Sequence, residues 1–125
     1  MKKVIGYTSA LLLVGTVALA QNLTRPQENA LRSAYDYLRF SGFSRQGLID
    51  QLSSPYGDKY EVRDATIAVD SLTVNWNEQA VRSAEDYLKI SGFSCQGMID
   101  QLSSSYGDKY TRAQAEYGAR AVGLC

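Results

Sequence analysis

The side chains able to do chemistry come in pairs along this chain. Asp50 and Asp100 each stand in the string Ile-Asp-Gln-Leu. Two carboxylates can share general acid–base work. Here each aspartate is alone on a stretch whose other residues are apolar, so a solvated helix face is the expected role. The string Tyr-Gly-Asp-Lys-Tyr occurs at 56–60 and again at 106–110. Asp58, Lys59, Asp108 and Lys109 must project from tight turns beside Tyr56 and Tyr106, which makes these six residues candidate partner contacts. The same strings also read as plain turn chemistry, with Gly as a cap, Asp bonding locally to backbone and Tyr as a lid over the core.

Enzyme chemistry is not expected. The chain has no histidine. That removes the commonest general base and every Ser-His or Cys-His nucleophile pair. Serines are frequent, but no base stands ready to activate one. Neither a glycine-rich phosphate loop nor EF-hand spacing occurs. No catalytic residue, cofactor or metal site is therefore expected.

Cys95 and Cys125 are the only cysteines. Their counterparts fifty residues earlier are Arg45 and Asn75, so two columns change together, which suggests a bond between them. A loop of about thirty residues closed in this way stabilises by roughly 3–4 kcal/mol in the chain-entropy model. Free or intermolecular thiols are the alternative. Zinc needs more ligands of the right kind than are present.

The elements that must position these groups are written twice. Aligned over 26–60 and 76–110, about 25 of 35 positions are identical, and a fixed period of this kind marks a repeat architecture. Each unit is close to the smallest size at which one core holds a fold unaided. In unit one, Pro26 suits a helix start, and Ala30, Leu31, Ala34, Tyr37 and Leu38 follow helical spacing. Gly42 is expected as a left-handed cap, with Phe43 turned into the core. Ser44 caps a second helix, running to about Ser54, whose buried set is Leu48, Ile49 and Leu52. A third helix starts near Glu61 and buries Ala65, Ala68, Val69 and Leu72.

Unit two repeats the plan over 79–90, 94–104 and 111–124. Thr73 and Val74 join the units, and Asn75 with Glu78 forms a capping-box pattern. The joint is so short that the third and fourth helices must pack closely or run on as one bent helix. Trp76, the only tryptophan, is expected to be buried between the units. The predicted fold is all-α: two tandem three-helix, helix-turn-helix-like repeats, 26–73 and 74–125, after an N-terminal segment at 1–20 and a tether at 21–25.

Met1–Ala20 reads as an export signal. Lys2 and Lys3 precede an uncharged, mostly apolar stretch that ends in Ala18-Leu-Ala20. It is either cleaved or kept as an anchor, and an uncleaved segment is the only expected link to a membrane. Gln21, not cysteine, follows Ala20, so no lipid anchor is expected. Without the first twenty residues, 11 basic and 13 acidic residues remain, a net charge of −2. Nucleic acid is not an expected partner. The helix in reading position, Glu61–Asp70, is acidic and apolar where a DNA reader carries Arg, Asn, Gln or Lys on a basic surround.

At Ala34–Leu38, Gly42-Phe-Ser44, Gly47–Leu52 and Tyr56-Gly57, followed by an alanine-rich helix, the chain resembles the Ltp family of host-cell-surface-exposed lipoproteins. Val74–Ala80 resembles that family's inter-repeat linker. The resemblance covers both units and departs only in lacking the lipobox cysteine. It implies a tandem helix-turn-helix-like fold working outside the membrane. It also implies a role in superinfection exclusion, in which an envelope-held protein stops an incoming phage from delivering DNA. On that reading the partner is a phage or cell-envelope protein, gripped without catalysis at the cell surface or outside the cell. A cell-wall or envelope structural module without a phage role is the alternative; a helix-turn-helix DNA-binding protein is the weaker one.

Overall fold

The structure, a computed structural model, describes residues 22–125. The segment read as signal or anchor, Met1–Ala20, lies outside the described residues, as does Gln21. Six helices follow: α1 (Arg25–Phe40), α2 (Arg45–Ser53), α3 (Val62–Asp70), α4 (Trp76–Leu88), α5 (Cys95–Ser103) and α6 (Arg112–Ala121). No strand occurs among the described residues.

Local chemistry sets the helix starts. Thr24 caps α1 with a full capping box: its Oγ1 accepts from the Gln27 N–H, and the Gln27 side chain accepts from the Thr24 N–H. Thr111 and Gln114 make the same box at α6. Ser44 and Ser94 cap α2 and α5 by accepting from Gly47 and Gly97, each at 2.9 Å. These bonds satisfy amides that have no partner inside the helix. At α4, Asn75 accepts from Glu78 N–H at 3.2 Å, a one-way cap where a reciprocal box was expected. Glu61 makes no side-chain cap bond.

Each unit closes on its own core. Ala34, Leu48, Ile49, Leu52, Ala65 and Val69 pack together in unit one. Ala80, Ala84, Met98, Ile99, Leu102, Tyr110, Ala115 and Ala119 do so in unit two. Alanines on the first and third helices let their backbones approach, and the middle helix supplies the large side chains. Fully burying a leucine such as Leu48 or Leu52 contributes about 2 kcal/mol. The approach is tight at Gly118, where an added Cβ would lie 2.9 Å from the Ala80 carbonyl oxygen.

Extensive helix–helix packing stays within a unit. The expected close packing or fusion of α3 and α4 is not what joins the repeats. The chain leaves helix after Asp70, re-enters at Trp76, and the two helices pack only marginally. Trp76 opens α4 yet lies partly buried against the core of unit one. A second difference concerns Gly42, which is not left-handed. It is needed because unit two presses on it: an added Cβ would sit 2.7 Å from Gln79 O and 2.8 Å from Ser83 Oγ. Gly92, its twin, has open space around that position.

Candidate functional site

The two Tyr-Gly-Asp-Lys-Tyr turns share one backbone. In the first, Gly57 and Lys59 N–H groups donate to Ser54 O at 3.1 Å and Tyr60 N–H donates to Leu52 O at 2.9 Å. The second repeats these bonds at the same lengths with Gly107, Lys109, Ser104, Tyr110 and Leu102. The left-handed residue of each turn is the lysine, not the glycine: φ is 60° at Lys59 and 61° at Lys109. A side chain there costs about 1 kcal/mol of local strain, which the bonds around it offset.

The tyrosines of each turn divide their work. Tyr60 and Tyr110 are the lids, with hydroxyls on Ser33 (3.3 Å) and Ser83 (2.8 Å). Burial drives the Tyr110 hydroxyl's pKa far upward. Tyr56 and Tyr106 are 98% and 100% exposed, so they cover nothing within the chain.

Identical turns have different surroundings. Asp58 and Lys59 are exposed, whereas Asp108 and Lys109 are half-buried. The second turn docks on unit one: Ser44 Oγ–H donates to the Asp108 carbonyl, and Lys109 Nζ pairs with Asp50 Oδ2. Beside them, Arg82 Nη1 donates to Leu38 O at 2.7 Å and the Phe43 N–H donates to Gln79 Oε1 at 3.3 Å. Asp50, expected to be a merely solvated residue, is thus part of the junction. Burial opposes its charge, but Lys109 and the Gln46 amide together hold its carboxyl below the usual range. Asp100 stays exposed, accepting from Gln96 with Arg112 3.6 Å away. Sequence inspection misses Ser44, Asp50 and Arg82 as junction residues because their twins Ser94, Asp100 and Arg32 are the same residue types.

Behind each turn lies a shallow cleft. The first is lined by Ser33, Asp36, Tyr37, Phe40 and Asp58. The second is lined by their counterparts Ser83, Asp86, Tyr87, Ile90 and Asp108, with Ser41 and Gly42 closing one side. Phe40 and Ile90 form apolar lips, 83% and 82% exposed. Tyr87 donates to Asp108 Oδ1 at 3.1 Å. Burial raises the pKa of both partners, and the Asp108 charge raises that of Tyr87 further. Tyr37 is raised by burial and then by Asp58. Each cleft therefore offers one carboxylate with no cationic partner among the described residues, Asp58 or Asp108, beside a tyrosine hydroxyl and an apolar edge, while Asp36 and Asp86 pair with Arg39 at 2.9 Å and Lys89 at 3.4 Å on the exposed rim. This suits a cationic side chain with an aliphatic stem.

The outer ends of the helices are tied differently in the two units. Arg45 grips Asp70 with two bonds, 2.7 and 2.9 Å, between the start of α2 and the end of α3. In unit two Cys95 and Cys125 join the same ends as a disulfide, with Cα atoms 5.0 Å apart. Among the described residues no group of three or more His, Cys, Asp or Glu side chains is placed to hold a metal. No described helix is long and apolar enough to cross a membrane.

Comparisons with known proteins bear on this geometry. The family model described as "Host cell surface-exposed lipoprotein" matches residues 26–72 and 75–122, one match per unit. The chain is similar to the solved structure of Ltp, a superinfection exclusion protein from the Streptococcus thermophilus temperate phage TP-J34. Identity is 28% and the TM-score 0.71, over 79% of this chain and 97% of that one. Comparison with curated proteins returned no match.

Proposed function

Because this chain belongs to the Ltp family of host cell surface-exposed lipoproteins, we propose that it is an exported, non-enzymatic binding protein that blocks phage DNA entry at the cell surface. The observation that carries this reading is the tandem pair of clefts. Two like sites, each with a turn aspartate and an exposed apolar lip, recur on one chain. They fit a partner that presents basic, partly apolar segments more than once. Joining two weak sites raises avidity without new contacts. The solved relative, itself a superinfection exclusion protein, supports the biological setting.

In this reading Asp58 and Asp108 attract the cationic groups, Asp36 and Asp86 are shared with Arg39 and Lys89, Phe40 and Ile90 cover the stems, and Tyr56 and Tyr106 add exposed contact area. Lys109 instead serves the junction. The test is the plating efficiency of a phage panel on a host making the protein with and without Met1–Ala20, with adsorption measured in parallel. The reading expects plating to fall only when the segment is present, while phage still adsorb. Loss of adsorption would point to receptor masking and overturn a block at DNA entry.

A further inference from the structure

The junction between the units has two halves, and among the described residues each half recurs in the other unit without making that contact. The receiving half is the second turn with Arg82 and Ser83 of α4; its twin is the first turn with Arg32 and Ser33. The inserting half is Gly42, Phe43, Ser44 and Asp50; its twin is Gly92, Phe93, Ser94 and Asp100. All of these positions keep the same residue type. Gln79, which corresponds to Asn29, is the one polar junction partner that changes.

We infer that a second copy of this chain docks head to tail, its first turn seated on α5 of its neighbour as the second turn sits on α2 within the chain. Lys59 meets Asp100 of the next copy, and Ser94 donates to the Asp58 carbonyl. Three observations carry this. The free turn is already in the docking conformation, with the same backbone bonds and the same left-handed lysine as the docked turn. The inserting end is open: Gly92 has nothing within 4 Å of its missing Cβ, and Ser94 and Asp100 are exposed where Ser44 is buried. The charges are complementary, since Lys59 is exposed in unit one and Asp100 in unit two, where the exposed Arg112, 3.6 Å away, gives way to or shares the carboxylate with Lys59.

Residues 122–125 fold back onto unit two. Gly123, at φ 84°, turns the chain back, Leu124 N–H donates to Ala119 O, and the disulfide pins Cys125 beside α5. A contact of this kind is heterologous, so it propagates instead of closing on a pair. Stacking would also extend the row of clefts, because the first cleft of each copy would acquire the neighbour that the second cleft already has in Ser41 and Gly42.

The test is sedimentation of the exported protein from about 10 μM to about 1 mM, the range over which a contact no longer helped by a covalent joint becomes visible. The weight-average mass is expected to rise past two copies and to fall back in high salt. Lys59→Asp and Asp100→Lys should each sediment as single copies. Their equimolar mixture should regain at least the two-copy species, because Lys59 of one variant faces Asp100 of the other. Gly92→Leu, placed where a lone chain has room, should abolish association without changing helicity. A wild-type mass of one copy throughout, or association unaffected by the reversals and by Gly92→Leu, would overturn the inference.

Discussion

Lys109 of the second unit pairs with Asp50 of the first, while their sequence twins, Lys59 in unit one and Asp100 in unit two, do not meet within the chain and Asp100 lies beside Arg112 instead. One motif thus ties the two units together in one copy and makes no such link in the other.

Lys109→Ala should lower stability by about 1 kcal/mol, the upper range for a half-exposed pair. Lys59→Ala should change it by less than about 0.5 kcal/mol. Lys59→Gly should exceed Lys59→Ala in stability by about 1 kcal/mol, since glycine removes the left-handed strain. Urea midpoints of the three variants test this. Equal losses at both lysines would deny the second turn its junction role.

Gly42→Ala should cost about 1–3 kcal/mol, because the new methyl meets the Gln79 backbone oxygen and α4 must shift. Gly92→Ala should be neutral or stabilising by about 0.4–1 kcal/mol, because its surroundings are open and glycine carries extra unfolded-state entropy. Thermal midpoints of the two variants give the comparison directly.

The folded protein should show no free thiol on titration. Reducing the bond between Cys95 and Cys125, thirty residues apart in sequence, should lower stability by about 3–4 kcal/mol. Two reactive thiols in the folded exported protein would contradict the bond.

Burial raises the Asp108 pKa. The folded state therefore holds that proton more tightly than the unfolded state does, so this group's stabilisation is present at low pH and is lost as pH rises through the folded value. Asp108→Asn should be more stable than the parent at pH 7, with the gap closing on acidification. Asp70, held low first by Arg45, and Asp50, held low against burial by Lys109, have the opposite sign. Their stabilisation is present above the ordinary carboxylate pKa and is lost as pH falls below it. Asp70→Asn should therefore cost stability at pH 7, and the cost should shrink as pH falls below the ordinary carboxylate range.

Phe40→Ser and Ile90→Ser remove exposed apolar lips, so stability should change by less than about 0.5 kcal/mol. If the clefts hold the partner, each substitution should weaken phage exclusion and the pair together should abolish it. Full protection by the double variant would remove the clefts from the mechanism.

The repeat, the helices, the serine caps and the apolar set Leu48, Ile49 and Leu52 were legible in the residues because each is a local or periodic property. The lids Tyr60 and Tyr110 could not be separated from the exposed Tyr56 and Tyr106, because a turn string does not state which of its tyrosines faces the core.

What the sequence by itself determined is the architecture: two copies of one three-helix unit, few candidates for catalysis, and a joint too short for independent beads. What only the tertiary structure decided is how the copies differ. Ser44 and Ser94, Gly42 and Gly92, Asp50 and Asp100, and Lys59 and Lys109 are the same residues in matching local settings. Their burial and bonds diverge because only one member of each pair lies at the junction between the two units. Position in the array is a property of the assembled molecule, and no local pattern encodes it.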